Sequence, residues 1–96
     1  MLTYKAMYRF LGDGVHGEVL DFPGAITCAD DLEGARISLA KALVDIVETN
    51  LLMGEALPSP NPAVSDADAD IEEPIQLILN ASSKVTIVAE PAYEMA

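Results

Sequence analysis

The sequence predicts an α+β domain in which one long helix packs on a three-stranded antiparallel meander. One or more further strands follow late in the chain. Two observations carry this prediction. Residues 2–10 alternate between apolar and polar, as in a half-buried strand, and two short apolar runs joined by tight turns follow within the first 30 residues. Apolar residues then recur at three- and four-residue spacing over residues 31–53, as in an amphipathic helix. With 96 residues, 51% of them apolar, the chain is long enough for one modest core, and residues 1–96 are predicted to form a single domain.

Residues 2–10 predict the first strand, because alternate positions suit two different faces. One face carries Tyr4, Ala6, Tyr8 and Phe10, and the other carries Thr3, Lys5, Met7 and Arg9. The glycines of Gly12-Asp13-Gly14 supply the turn chemistry of a hairpin, so residues 15–20 predict the second strand.

Pro23 and Gly24 predict the reversal that leads into a third strand at residues 25–28. Proline fixes its own φ and disfavours helical backbone at Phe22, and glycine readily adopts the positive φ of a tight turn. Asp21, which stands directly before this reversal, is therefore interpreted as a turn residue.

The helix is predicted to end at Gly54, with Pro58 just beyond it. Its start has two candidate caps, Asp30 and Asp31, because an aspartate side chain accepts a hydrogen bond from the free amides of a first helical turn. If Asp30 is the cap, Glu33 stands three residues on and completes a capping box.

The βββα core of residues 1–54 is predicted to lead into a Pro- and Asp-rich connection at residues 55–74. Five acids lie close together in it: Asp66, Asp68, Asp70, Glu72 and Glu73. They fit either a solvated, mobile connection or a docking surface for a cationic partner. A calcium loop of the EF-hand type is rejected, because Ile71 and Leu77 stand where that loop needs a glycine and a glutamate.

Residues 75–90 predict a C-terminal strand or hairpin. Residues 84–90 are rich in β-branched side chains and predict a strand, with a turn at residues 80–83 before it. Residues 75–79 fit either a strand or a short helical turn.

The charge balance narrows the classes of partner. Sixteen acids against five Lys and Arg give a net charge of −11, which argues against direct nucleic-acid binding and suits either simple solubility or docking to a basic protein. One cysteine, Cys28, excludes an intrachain disulfide and a cysteine zinc site, and we expect it to be reduced and mostly buried. No signal peptide and no apolar run of about 20 residues is present, so a cytoplasmic protein without a membrane partner is expected.

An ordered set of short motifs resembles the HicB family of antitoxins and HicB-like proteins over about residues 1–62. In that family a strand ends in an Asp-aromatic/Leu-Pro-Gly turn, a Thr follows, and a Leu-Glu pair opens the helix before a Gly-Glu-x-Leu/Ile-Pro segment. The matching positions here include Asp21, Pro23, Gly24, Thr27, Asp30 and Glu33, followed by residues 54–60. Asp31 and Gly34 replace the family's Thr and second Glu, although a helix cap survives.

The resemblance implies a partial RNase H-like core and a non-catalytic antitoxin of a type II toxin-antitoxin system. Such a protein binds a small, basic, HicA-like toxin that cleaves mRNA, and covers its active site. Many members also carry a C-terminal DNA-binding module. Because the chain stops six residues after Glu90, a stand-alone form without that module and without operator binding is expected.

An enzymatic function is less favoured than a binding function. RNase H-type catalysis needs carboxylates that converge on two divalent metals. Glu18 and Asp13 are available, but Asp21 is better explained by the turn, and His16, the single histidine, has no evident acid–base partner. No catalytic residue, metal or cofactor is therefore predicted.

Partner contacts are predicted on the sheet face away from the helix and in the acidic segment. The candidates are Lys5, Met7, Arg9, His16, Glu18, Asp66, Asp68, Asp70, Glu72 and Glu73. Exposed sheet edges also favour a homodimer or homotetramer. The alternative function is an oligomeric small-ligand or regulatory module that uses the same sheet face and has no toxin partner.

Overall fold

The computed structural model describes residues 2–78, in which a four-stranded antiparallel sheet carries one helix. The elements are β1 (Leu2–Leu11), β2 (Gly14–Val19), β3 (Ile26–Ala29), α1 (Leu32–Leu52) and β4 (Ile71–Leu77). The strand order in the sheet is β3-β2-β1-β4, so β1 pairs with β2 on one side and with β4 on the other. The predicted α+β class, with its meander and its long helix, is confirmed.

The core lies between α1 and one face of the sheet. The helix side chains that are fully buried recur every four residues: Ala35, Leu39, Leu43 and Val47. On the sheet, the alternation of β1 turns Tyr4, Ala6 and Tyr8 towards this core, as predicted. Phe10 shares their alternation but lies near the end of β1, where 51% of the residue is exposed.

The reversal between β2 and β3 is closed by backbone hydrogen bonds. Phe22 N donates to Val19 O over 3.2 Å, and Val19 N donates to Ala25 O over 2.9 Å. Gly24 has a φ of 97°, a region in which other residues are strained, so the glycine is required here as predicted. The reversal places the Phe22 ring in the core, edge-to-face with the Tyr4 ring at a centroid distance of 5.2 Å.

Close approach of β2 to its neighbours depends on Gly17, which lies directly opposite Thr27 on β3. A Cβ atom at Gly17 would lie 3.1 Å from the Tyr8 ring and 3.2 Å from the Thr27 methyl group. The small residue therefore leaves the space that the Tyr8 ring occupies in the core.

Asp31 is the helix cap. Its Oδ1 accepts a hydrogen bond from Gly34 N over 2.7 Å, and its carbonyl accepts from Ala35 N. The capping box that Asp30 and Glu33 would form is wrong, because the third residue after the actual cap is Gly34, which has no side chain to reach back. The helix ends as predicted at Gly54, whose φ of 72° closes the last turn.

The start of β4 differs from the sequence prediction. The strand begins at Ile71, inside the segment that was predicted to be a connection up to residue 74. Residues 75–77 belong to this strand and do not form a helical turn. Pro74 and the acids beside it are residue types typical of a loop. They form a strand because they pair with β1. The predicted strand at residues 84–90 lies outside the described residues.

Pro74 fits into β4 because its nitrogen faces away from β1. Lys5, its partner in the register, uses its backbone N–H and carbonyl on the other side, towards Asp21 and Leu20. An antiparallel pair exchanges either both of its hydrogen bonds or neither, so Lys5 and Pro74 exchange none. The missing N–H of Pro74 thus costs the ladder with β1 nothing.

The connecting segment, residues 53–70, passes from the helix side of the sheet to its opposite face. Near its start, Leu57 packs against the core and Pro58 O accepts a hydrogen bond from the Tyr4 hydroxyl over 2.7 Å. Further on, Asn61 N donates to Asp21 Oδ2 over 2.9 Å. The segment is thus fastened to β1 and to the reversal between β2 and β3 before it reaches the other face.

Candidate functional site

The far face, meaning the sheet face that does not carry α1, is built from alternate residues of all four strands. It comprises Thr3, Lys5, Met7 and Arg9 of β1, His16 and Glu18 of β2, Ile26 and Cys28 of β3, and Glu72, Pro74 and Gln76 of β4. The sequence predicted the β1 and β2 members of this set, because their side chains alternate with those of the core.

The connecting segment covers the middle of the far face. Lys5 Nζ donates to Val64 O over 2.7 Å and to Pro62 O over 3.2 Å. Glu72 lies opposite Met7 in the register. Its carboxylate accepts hydrogen bonds from the Ser65 hydroxyl and from Asp66 N, each over 2.9 Å. Met7 is only 1% exposed as a result, so this predicted partner contact is not accessible in the described structure.

Glu72 holds the connecting segment through its ionised carboxylate. Hydrogen bonds from Asp66 N and from the Ser65 hydroxyl lower the pKa of Glu72 most, and burial opposes them by a smaller amount. Lys5 Nζ, 3.7 Å away, lowers this pKa a little further. Lys5 and Glu72, two more of the predicted contacts, are therefore engaged within the domain.

We predict that Glu72→Gln destabilises the protein most near neutral pH. A carboxyl whose pKa is lowered by folding stabilises the native state above its unfolded pKa, and this stabilisation is lost as the pH falls through the folded pKa. The difference in unfolding free energy between the wild type and Glu72→Gln should therefore shrink below about pH 4. Urea unfolding from pH 3 to pH 7 measures it.

Glu48→Gln, which removes an exposed carboxylate from α1, is the matched control for the same loss of charge. Its stability difference from the wild type should stay small throughout this pH range. A Glu72→Gln difference that does not change with pH would contradict the role assigned to the carboxylate.

Beyond the connecting segment, part of the far face remains uncovered by the described residues. Arg9, His16 and Glu18 are partly buried there, and Ile26 is 52% exposed. His16 Nε2 lies 3.4 Å from Glu18 Oε1, so the histidine has an acidic partner that sequence reasoning missed. This uncovered part, called the open patch and comprising Arg9, His16, Glu18, Ile26 and Cys28, combines an apolar side chain with charges of both signs.

Cys28 corrects a sequence expectation. It was expected to be mostly buried, but it is exposed on the far face because β3 lies at the edge of the sheet. Its Sγ lies 3.9 Å from His16 Nδ1 on the neighbouring strand. The alternation of β3 could have placed both Ile26 and Cys28 on the same face as Glu18, but only the register places Cys28 opposite His16.

Glu73, predicted with the other acids as a contact, lies on the helix side of the sheet. Its carboxylate accepts two hydrogen bonds from Arg36 of α1, at 2.9 Å and 3.0 Å. This paired geometry raises the pKa of Arg36. Burial raises the pKa of the Tyr8 phenol beneath the pair, an effect that Glu73 adds to and Arg36 opposes. Glu73 therefore joins helix to sheet and does not belong to the far face.

The remaining acids lie at the end of the connecting segment. Asp66 Oδ1 accepts from Asp68 N over 2.9 Å, and Asp70 Oδ2 accepts from Phe10 N over 2.7 Å. Asp68 is exposed, and its carboxylate makes no hydrogen bond or ion pair within residues 2–78. The acidic segment is thus ordered by local bonds rather than being only a solvated connection.

Both carboxylate oxygens of Asp21 accept backbone hydrogen bonds, one from Lys5 N and one from Asn61 N. The interpretation of Asp21 as a structural residue of the turn region therefore agrees with its contacts. Between Leu2 and Ile78, no group of three or more His, Cys, Asp or Glu side chains is placed to hold a metal ion.

A cleft of about 460 Å³ lies beside the connecting segment, where Tyr4, Pro60, Pro62 and Pro74 contribute to its walls. Its charged lining residues are Lys5, Asp21, Glu72 and Glu73. Each of these charged groups already has a hydrogen-bond partner within the domain. The cleft therefore offers a small ligand mostly apolar surface.

Comparison with solved structures identifies a similar fold. The crystal structure of the N-terminal domain of the Burkholderia pseudomallei antitoxin HicB aligns with 81% of this chain and 100% of its own, with a TM-score of 0.63 and 19% sequence identity. The chain has a HicB-like fold. No protein-family model matches the sequence, and no curated protein matches it either.

In this HicB-like domain, the described residues contain no helix that is both long and apolar enough to cross a membrane. The structural match spans the whole of the solved HicB domain, so the sheet and the helix that form the far face and the core together have a counterpart in that fold.

Proposed function

We propose that the protein is an antitoxin of a type II toxin-antitoxin system that binds a small, basic, HicA-like, RNA-cleaving toxin and covers its active site. The observation that carries this proposal is the HicB-like fold, matched over the whole of the solved antitoxin domain. The protein acts by binding, and no catalytic step is assigned to its residues.

The net charge of −11 supports a basic partner. Opposite net charges accelerate diffusional encounter, and the effect weakens as salt screens the charges. Asp68 adds an exposed carboxylate in the connecting segment, and Glu18 adds a partly buried carboxylate on the open patch. These two acids remain proposed contacts, together with Asp66 and Asp70.

The proposed contact surface is the open patch. Ile26 provides an exposed apolar side chain on the edge strand β3, opposite Glu18 in the register, and His16 and Arg9 lie on the two strands beyond. An apolar anchor surrounded by polar groups is the usual anatomy of a protein–protein contact. Lys5, Met7 and Glu72 support this surface from below the connecting segment and are not proposed as direct contacts.

We predict that Ile26→Lys weakens toxin binding by about 10- to 100-fold, because it removes an apolar contact that binding would bury and places a cation opposite a basic partner. The matched control is Ile37→Lys on the outer side of α1, since the two isoleucines are 52% and 53% exposed. Ile37→Lys should change the dissociation constant by no more than about twofold. Isothermal titration calorimetry with the purified toxin measures both.

Co-expression tests the function itself. The protein should relieve the growth arrest caused by a small basic RNA-cleaving protein encoded in the neighbouring reading frame, and should co-purify with it. Failure to relieve the arrest, or the absence of such a neighbour, contradicts the antitoxin function. Relief together with equal binding by Ile26→Lys and Ile37→Lys contradicts only the proposed surface.

A further inference from the structure

A second apolar stripe runs along α1, apart from the one that faces the sheet. The buried helix residues recur every four positions, and each such step turns the side chain by about 40° around the helix axis. The core stripe therefore turns away from the sheet, and Leu51, the next residue in this series after Val47, is 53% exposed. Ile37 and Val44 precede Leu51 at seven-residue spacing, which keeps the three side chains nearly on one line. These three residues and Ala40 are called the helix stripe.

The helix stripe is accessible in the described part of the chain. Ile37 and Leu51 are each 53% exposed, and Ala40 is exposed between them. Leu52 and Met53 follow at the end of the helix and are 88% and 67% exposed. Large apolar side chains that are grouped in this way, rather than scattered singly, are typical of a surface that another molecule covers.

The shape of the helix stripe is complementary to itself. An open depression of about 360 Å³ is lined by Ala40, Lys41, Val44 and Asp45. Leu51, a large residue, lies about three turns further along the helix from the small residue Ala40. When two such helices lie antiparallel, Leu51 of each can enter the depression beside Ala40 of the other.

The charges beside the helix stripe are complementary to themselves as well. Lys41 and Glu48 flank the stripe on one side, about two turns apart, and both are exposed. Neither forms an ion pair within residues 2–78. The twofold axis that sets Leu51 against Ala40 also brings Lys41 of each helix beside Glu48 of the other, so two pairs of opposite charge form. A parallel arrangement would instead set like charges against each other.

The acidity of the chain restricts where two copies can meet. Because each copy carries a net charge of −11, two copies repel each other except where basic side chains face acids. Lys41 is one of five Lys and Arg residues, and it stands directly beside the exposed apolar side chains of α1. We propose that two copies of the protein associate through the helix stripe as an antiparallel, twofold-symmetric pair of α1 helices.

This pairing is independent of the proposed function, because it concerns association of the chain with itself. The helix stripe lies on α1, on the opposite side of the sheet from the open patch, so both open patches of the dimer stay free. Ile37→Lys, which alters the stripe, should therefore weaken the dimer while its affinity for the toxin stays that of the wild type.

Sedimentation equilibrium of the purified full-length protein, without toxin, measures the dissociation constant of the dimer. Leu51→Glu should raise this constant at least about 100-fold, because both copies lose an apolar contact and gain a charge there. Leu11→Glu is the matched control, since Leu11 is 48% exposed at the end of β1, and its effect should stay within about twofold. A wild type that stays monomeric up to about 1 mM overturns the proposal, as does a dimer that both variants weaken equally.

Charge reversal tests the antiparallel arrangement. Lys41→Glu and Glu48→Lys should each weaken the dimer about tenfold, and the variant that carries both changes should regain the dissociation constant of the wild type. Asp13→Lys makes the same change of net charge as Glu48→Lys in the exposed β1–β2 turn, and it should not weaken the dimer. A double variant no tighter than the single variants overturns the proposed arrangement.

Two other occupants of the helix stripe would give different results. If residues 79–96 of the same chain covered it, the protein would be monomeric, and Leu51→Glu would lower the free energy of unfolding far more than Leu11→Glu. If the toxin covered it, Leu51→Glu would weaken toxin binding and leave the mass of the toxin-free protein unchanged. Either result overturns the proposed pairing of two copies.

Discussion

Replacing Phe22 with alanine is expected to lower the free energy of unfolding by about 3–5 kcal/mol. Phe22 is 1% exposed, and its ring packs edge-to-face against Tyr4 with centroids 5.2 Å apart. Removal of the ring therefore costs its burial, leaves a cavity and deprives Tyr4 of an aromatic neighbour. Because domains of this size are stable by only about 5–15 kcal/mol, such a loss is a large part of the total.

Phe10, the other phenylalanine of the chain, is a matched control. Phe10 is 51% exposed near the end of β1, so Phe10→Ala should cost about 1 kcal/mol or less. Urea unfolding followed by circular dichroism measures both variants. Similar losses for Phe10→Ala and Phe22→Ala would show that the turn does not deliver Phe22 into the core.

Replacing Asp21 with alanine is expected to cost about 2–4 kcal/mol, because two charge-assisted hydrogen bonds are lost. Asp21 accepts from Lys5 N at 2.8 Å and from Asn61 N at 2.9 Å. Asp21→Asn should also destabilise, since its amide nitrogen would face a backbone N–H with another donor. The loss should be smaller than that of the alanine variant, because one oxygen still accepts.

Hydrogen exchange gives this prediction a residue-level readout. In Asp21→Ala the amides of Lys5 and Asn61 should exchange faster than in the wild type, although they are 56 positions apart in sequence. Asp68→Ala removes the same charge from an exposed position and should leave both amides protected. Unchanged protection in Asp21→Ala would contradict the bonds to its carboxylate.

The elements with strong local patterns could be predicted from the sequence. The alternation of β1 assigned Tyr4 and Tyr8 to the core and Arg9 to the far face, and the 3.6-residue period gave α1 with ends within one residue of those observed. Gly24 was predicted because a tight reversal needs its positive φ. Each of these features depends on neighbours in sequence.

The features that were missed depend on contacts between distant residues. Met7 is covered because a segment some 55 to 60 positions later is fastened to Lys5, and no local pattern encodes that distance. Ile71 begins a strand only because β1 has a free side to pair with. The contact between His16 and Cys28 likewise depends on the register of β2 with β3, which alternation alone does not determine.

Pro74 makes the two lateral edges of the described sheet chemically unequal. A strand that adds to β4, whether from a later part of this chain or from another protein, finds a carbonyl acceptor at residue 74 but no donor. At β3, Ile26 and Cys28 both present donors as well as acceptors to an incoming strand. Within residues 2–78, sheet extension by a uniform ladder is therefore favoured at β3 over β4.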